Sequence, residues 1–341
     1  MQQKPEFSLE TVFDGSFEKE YEDYLKDQFP LRNAWVGIKN KFEYTLGKQE
    51  MNGVYVGKDD YFIENHPAKN YESDLAIENM NALSNTVSHY EKTLGEGHVK
   101  VMLVPNAVTV LKDKLPKYAM PYDQMEYLEQ VRGELKEENA WIPLYETLTQ
   151  HKEEGIYYHT DHHWTTLGAY YGYEQWCKES GVTPVALSDM EQTLLTKEFL
   201  GTISSKINFS MKPDEMYLFE PKGAEYSAAY LNREEENTLY DEEALKVKDK
   251  YAYFLKGNNG IVTITNHNME EGNTLLVVKD SYANCFLPMI ATHYKTVYVV
   301  DLRYYSNLLS ESVAEWEIDD LLILYNANSF ATDTYVQRMQ Y

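Results

Sequence analysis

Apolar and aromatic positions recur at steps of three and four from Ser16 to Lys26 and again from Leu31 to Leu46, with Pro30 between them, which predicts two short helices. From Asn52 to Glu64 the pattern turns to alternation. Val54-Tyr55-Val56 and Tyr61-Phe62-Ile63 flank Gly57-Lys58-Asp59-Asp60, as in a hairpin. Tyr71 to Leu94 then reads as one long amphipathic helix stopped by Gly95, and Val99 to Val104 as a buried strand ended by Pro105. A helix over Tyr122 to Glu138, a short one over Leu144 to His151, a short strand over Ile156 to Tyr158 and a helix from Thr165 to about Ser180 continue an α/β alternation.

Between Val182 and Gly272 the periodicity weakens, with strand-like pieces at Met216 to Phe219, Tyr251 to Leu255 and Ile261 to Thr265. This stretch, about 182–272, is expected to be a β-rich insertion. The end of the chain is the most readable part: strand Leu275 to Lys279, helix Tyr282 to Thr292, strand Thr296 to Val300, helix Ser306 to Trp316, strand Leu321 to Tyr325 and a closing helix. That is a βαβαβ order whose unbroken apolar strands are those of a parallel sheet buried on both faces. Such sheets take ligands outside the carboxyl ends of their strands. The pattern predicts an N-terminal appendage over 1–64 and an α/β body over 65–341 that contains the insertion.

The length of 341 residues, with 43% hydrophobic and 25% charged, fits a folded globular chain rather than a disordered or fibrous one. Thirty-one basic residues against 55 acidic ones leave a net charge of −24, which repels phosphate backbones and anionic headgroups and argues against nucleic acid as a partner. Cys177 and Cys285 are too few for a disulfide framework, and their spacing is not that of a zinc knuckle; they read as buried thiols or as one bridge. No run approaches the roughly 18 apolar residues of a membrane span, and Met1 to Phe7 lacks the apolar stretch of a signal peptide. A cytoplasmic protein, or an exported one given without its leader or anchor, both fit. Tyrosine is unusually frequent at 30 residues, a side chain with an apolar face and a polar tip that suits packing and carbohydrate contact.

Candidate chemistry sits at the strand ends. Asp280-Ser281-Tyr282 follows one strand, Asp301-Leu302-Arg303 the next and Asn326-Ala327-Asn328 the third. A serine between a buried strand and a helix has its hydroxyl at the sheet edge and backbone N–H groups beside it, as a nucleophile with an oxyanion site requires; it can equally be a plain helix cap. The second group is His159-Thr160-Asp161-His162-His163-Trp164, between a short strand and a helix. A carboxylate two residues before a histidine can orient the ring and stabilise its imidazolium, which is what a serine needs from its base. Imidazole and carboxylate also suit zinc or iron, and a structural role with Asp161 capping the helix is the third reading.

The run Asp161-His162-His163-Trp164 before a helix, with Asp280-Ser281 at a later strand end, resembles the DHHW family of bacterial proteins. That family is in turn similar to the alginate O-acetylation proteins of the SGNH hydrolase-like group. The resemblance takes in Phe13-Asp14-Gly15, Tyr24 to Arg32 with Asp27-Gln28-Phe29-Pro30, Asn52-Gly53-Val54-Tyr55, Phe254 to Asn258 and Leu275 to Asn284, so most of the chain. It implies an SGNH hydrolase-like α/β/α fold and a serine esterase or O-acetyltransferase acting on an extracellular polysaccharide. Ser281 would be the nucleophile, His163 the base and Asp161 its orienting acid, without a cofactor or metal. The order Asp, His, Ser looks like a circular permutation of the usual SGNH order. The glycine and asparagine donors of ordinary SGNH enzymes have no clear match, so Asn326 and the Ser281 N–H are the expected oxyanion donors. Arg303 is a candidate substrate contact or a salt bridge, and Trp164 a packing residue or a pocket wall. His162 and His159 stay open, with packing or a backbone hydrogen bond favoured over catalysis for His162, and Cys285 reads as core. The resemblance also implies a place at the cell surface beside a membrane-bound acyltransferase that supplies acetyl groups. A metal-dependent hydrolase on the histidine cluster and a non-catalytic carbohydrate-binding or assembly protein are the competing classes.

Overall fold

The computed structural model of the protein describes residues 32–209, 211–231 and 235–340, together with Phe17, Tyr21 and Tyr24. Apart from these three residues, the helix expected over Ser16 to Lys26 lies outside the described residues, as do the Phe13-Asp14-Gly15 motif and most of Tyr24 to Arg32. The first helix described, α1 (Arg32–Thr45), leads into an antiparallel meander of β1 (Glu50–Met51), β2 (Val54–Val56) and β3 (Phe62–Glu64). The long amphipathic stretch forms α2 (Asp74–Leu94), begun by the Ser73 hydroxyl accepting the Ala76 N–H and ended at Gly95, whose φ of 109° a side chain would resist. Next come β4 (Val99–Val104), α3 (Gln124–Glu134) and α4 (Thr166–Ser180).

The irregular stretch holds β5 (Met190–Phe199), α5 (Thr202–Ile207), β6 (Asp214–Pro221), β7 (Tyr226–Tyr230) and β8 (Ile261–Asn266). The chain then closes with β9 (Thr274–Lys279), β10 (Thr296–Val300), α6 (Leu309–Trp316), β11 (Asp320–Asn326) and α7 (Ala327–Thr332). The central sheet has the order β4-β11-β9-β10-β8-β7: the first four strands run parallel, and β8 pairs antiparallel with β10 and with β7. The protein is thus a mixed α/β structure with a mostly parallel central sheet. Among the described residues of the irregular stretch, β5 and β6 form a separate two-stranded sheet, and β7 and β8 join the main one.

Alternate residues of each parallel strand enter two different cores, which is why the strands read as unbroken apolar runs. Met102, Val104, Leu275, Val277, Leu322 and Leu324 pack with Trp164 and the tyrosines of α4. Val101, Leu103, Leu276, Val278, Leu321 and Ile323 pack on the other face with residues of α2, α3 and α7.

Three expected elements differ. Ile156 to Tyr158 makes only an isolated antiparallel bridge, Tyr157 to Trp164, so the histidine cluster sits on a loop that folds back on itself. Tyr251 to Leu255 is a 3-10 turn over Lys250–Tyr253, followed by positive φ at Leu255, Lys256 and Gly257, which no strand tolerates. The helix expected over Tyr282 to Thr292 is broken into a 3-10 turn, a short α-turn over Leu287–Ile290 and another 3-10 turn, since Pro288 lacks a donor N–H.

Candidate active site

The chain leaves β9 for β10 on one side, and β11 lies on the other side of β9, so the end of β9 is flanked by both neighbours at the carboxyl edge, where parallel sheets take ligands. Asp280 begins the turn Ser281–Cys285 by accepting the Tyr282 N–H at 2.9 Å. Its other oxygen accepts the backbone N–H and side-chain amide of Asn326 at 3.0 and 2.6 Å, so one buried carboxylate staples the ends of β9 and β11 together. Ser281 is half-exposed while Tyr282 to Cys285 are buried. As the first residue of its turn it has a backbone N–H that finds no acceptor inside the turn.

The 159–164 loop faces that turn because several bonds hold it there. Asp214, at the start of β6, accepts the N–H groups of His159 and Thr160, each at 2.9 Å, and the Thr160 hydroxyl at 2.7 Å. Trp164 is fully buried and donates its indole N–H to the Tyr282 carbonyl at 2.9 Å. The N-terminal meander also touches the loop, with the Phe62 N–H donating to the His159 carbonyl at 3.0 Å.

At the centre, His163 Nε2 lies 2.8 Å from Ser281 Oγ and Nδ1 lies 2.5 Å from Asp161 Oδ1. The same Asp161 oxygen accepts the His163 N–H at 3.0 Å, and Oδ2 accepts the N–H and hydroxyl of Thr202 at 2.7 and 3.0 Å. With its Nδ1 proton held by Asp161, His163 presents Nε2 as an acceptor to the Ser281 hydroxyl. The ring of Tyr251 stacks on that of His163 at 3.8 Å and 12°, covering one face. Burial, helped by the His162 charge, pulls His163 down to about 4 against the upward pull of Asp161 and Glu64, so the ring is neutral at pH 7. Burial pushes the Asp161 carboxyl up, but its electrostatic interactions with His162 and His163 and the bonds donated by His163 and Thr202 outweigh it and set the group well below the usual carboxylate range.

Two expected donors are committed elsewhere. The amide hydrogens of Asn326 go to Asp280 and to Ser329 Oγ, each at 2.6 Å, so this side chain ties strand ends together and has none left for an oxyanion. Arg303 grips Asp301 with Nε at 2.8 Å and Nη2 at 2.6 Å; Asp301 also faces the fully buried Lys279. That ion pair is the salt-bridge reading of Arg303. Trp164 packs and does not wall an open pocket. His162 Nδ1 is 2.7 Å from Thr202 Oγ1, and His159 bonds to Asp214 and stacks on Tyr61 at 4.0 Å. Cys177 and Cys285 are free, buried thiols, and burial raises Cys285 to about 12.

Sequence reasoning missed Thr202, Tyr251 and the buried Asn106. Asn106 follows β4, donates to Asn326 Oδ1 at 3.0 Å and to the Tyr282 hydroxyl at 3.1 Å, and accepts from Gln124 at 2.8 Å. The signal for it was the strand-end rule, applied to β9, β10 and β11 but not to β4. Asp161, His162 and His163 bring ligand atoms within 4.8 Å of one another. Both His163 nitrogens and His162 Nδ1 are held by protein partners, so a metal would have to break the bonds that define the loop.

Gly201 shows how tightly the acid is seated. A Cβ there would lie 2.2 Å from Asp161 Oδ2. Gly201→Ala is therefore expected to push Asp161 from His163, lowering the melting temperature and slowing reaction at Ser281 about 100-fold, the order of loss from a 1 Å misplacement. Thermal unfolding and the rate at which a serine-reactive phosphonate labels Ser281 check this, and a variant matching the parent in both would show that the seat of Asp161 has slack.

Fold and site together define an α/β protein with a serine, a neutral histidine and an ionised aspartate joined in one hydrogen-bonded chain at the carboxyl edge of its sheet. The chain belongs to the DHHW family, whose model, described as DHHW protein, matches residues 50–300. No curated protein matches it. Among solved structures it is similar to a DHHW family protein from Eubacterium siraeum, at 22% identity and a TM-score of 0.67 over 85% of this chain and 95% of that one. It is similar to Bacillus cereus PatB1, solved with a sulfonyl adduct, at 22% identity and a TM-score of 0.67 over 82% of this chain and 96% of that one. The O-acetyltransferase domain of Pseudomonas putida AlgJ matches at 12% identity and a TM-score of 0.51 over 84% of this chain and 98% of that one. At these identities the likeness is one of fold.

Proposed function

We propose that the protein is a serine O-acetyltransferase or acetylesterase, SGNH hydrolase-like, that acts on a polysaccharide outside the cell membrane. The observation that carries this reading is the unbroken chain Asp161–His163–Ser281 with a partly exposed serine at one end. Ser281 Oγ attacks the acyl carbon while His163 Nε2 takes its proton. The bond from acyl carbon to leaving oxygen then breaks, His163 returns the proton to that oxygen, and an acetyl-serine remains. A sugar hydroxyl or water, deprotonated by His163, attacks the ester, the bond from acyl carbon to Ser281 Oγ breaks, and His163 returns the proton to that oxygen. Asp161 stays ionised, fixes the tautomer and stabilises the imidazolium, and the Ser281 N–H is the oxyanion donor. No cofactor enters these steps.

Two likenesses support the class of reaction: the fold is shared with an O-acetyltransferase domain, and with a protein solved carrying a sulfonyl adduct, a group that activated nucleophiles accept. A membrane-bound acyltransferase is the proposed source of acetyl groups, and the cell surface the proposed location.

Labelling by a fluorophosphonate, read by intact mass, tests the nucleophile and its base. One adduct is expected, absent in Ser281→Ala. Since His163 must be neutral to take the proton, the labelling rate should hold from neutral pH downward and fall only as pH drops through about 4. A midpoint near the ordinary histidine value would contradict the buried, neutral base, and a folded protein that takes no label would remove the serine mechanism.

A further inference from the structure

Helix α1 is held to the body by one face. A Cβ on Gly37 would lie 2.8 Å from the Asn208 carbonyl oxygen, the buried Asn40 donates to the Ile207 carbonyl at 2.6 Å, and the Tyr44 ring meets Phe209 edge-on at 5.4 Å. The other face carries Trp35, Ile38 and Phe42, continued by Leu46 just past the helix end. Spacings of three, four and four residues put all four in one stripe. They are 58%, 59%, 63% and 71% exposed, large side chains in line rather than the scattered single ones of an ordinary surface.

Exposed Lys39 and Lys41 lie close to the stripe in the helix, and exposed Lys48 follows it. Between Arg32 and Lys48 the chain has four basic residues and one acidic one, Glu43, against −24 for the whole. Glu43 is already paired with Lys39 at 3.6 Å and Lys48 at 2.7 Å. An apolar stripe edged by lysines, on a helix whose opposite face grips the body, is the arrangement of a helix lying in the headgroup layer of a bilayer. The repulsion expected from the net charge is screened within about 8 Å at physiological salt, so the residues that touch the lipid decide the contact. Among the described residues no helix is long and apolar enough to cross a membrane.

We propose that α1 docks the protein on a bilayer surface containing anionic lipid, with Trp35, Ile38, Phe42 and Leu46 at the boundary of headgroups and acyl chains. Docking would hold the site near the membrane through α5, which α1 contacts and whose first residue, Thr202, seats Asp161. The proposal does not depend on turnover, so it stands or fails apart from the catalytic reading.

Co-sedimentation of the full chain with phosphatidylcholine–phosphatidylglycerol vesicles tests it, with Trp35 fluorescence as a second readout and Trp35→Phe to subtract the other tryptophans. Sedimentation is expected with the mixed vesicles, weakened by added salt or by phosphatidylcholine alone, with a blue shift of Trp35. Ile38→Asp with Phe42→Asp should lower partitioning about tenfold or more with unchanged thermal unfolding. Equal sedimentation of parent and variant, or none by either, overturns the proposal. A stripe-dependent dimer without vesicles would assign the face to a second copy, and a Trp35 already shielded from acrylamide in free protein would assign it to residues 1–31; either result also overturns it.

Discussion

Replacing Ser281 by alanine is expected to lower kcat on an activated acetyl ester by roughly 10⁴- to 10⁶-fold, the range set by removing a nucleophile that acts as one unit with its base. The thiol of Cys285 does not take its place. Cys285 lies on the same turn, but it is buried, accepts from the Tyr251 hydroxyl at 3.4 Å and has a thiol raised to about 12, so it offers almost no thiolate at neutral pH. The fold should survive, because the side chain makes a single bond, to His163, and its loss costs about 1 kcal/mol. Steady-state kinetics with a thermal melt as control is the measurement. Turnover close to that of the parent in a folded variant would exclude an acyl-serine route.

The parts of the fold legible in the sequence are those in which one pattern suffices. β4 and β10 occupy the residues expected of them because strands buried on both faces are dominated by apolar residues and closed off by turns or polar ones, with the buried Lys100 the one charged position in β4. Asp161, His163 and Ser281 stand out because a carboxylate, an imidazole and a hydroxyl sit where the chain changes direction, and the structure brings the three within bonding distance. Arg303 and Asn326 occupy matching strand-end positions, and sequence does not reveal that Asp301 and Asp280 take up their donors. Asp280 comes within reach of Asn326 only once β9 and β11 are side by side, whereas Asp301 lies two residues from Arg303, and the local pair is one of the two readings the sequence offers. Thr202 and Tyr251 belong to the irregular stretch, where no periodicity marks a residue as facing the site. Gly201 and Thr202 reach Asp161 from forty residues away in sequence, a contact made by tertiary folding alone.

Asp161→Asn is expected to cost about 10⁴-fold in kcat, nearly as much as losing the serine, although it changes one atom. Four donors surround this carboxylate: the His163 N–H and Nδ1–H at Oδ1, and the Thr202 N–H and O–H at Oδ2. An amide brings an NH₂ group into a seat built only for acceptors. If that group faces His163, Nδ1 must become the acceptor, the ring proton moves to Nε2, and the base turns a proton toward Ser281 instead of a lone pair. If it faces Thr202, the tautomer survives, but the amide hydrogens meet the Thr202 N–H, leaving buried donors unpaired at about 1–3 kcal/mol. The stability deficit has a sign in pH. Asp161 is held below its unfolded value, so its contribution is full above the ordinary carboxylate range and is lost as pH falls toward the depressed folded value. The melting-temperature gap between parent and variant should therefore be widest at neutral pH and narrow in strong acid. Turnover within tenfold of the parent, or a gap that widens on acidification, would mean that Asp161 neither sets the tautomer of His163 nor owes its ionised state to these four bonds.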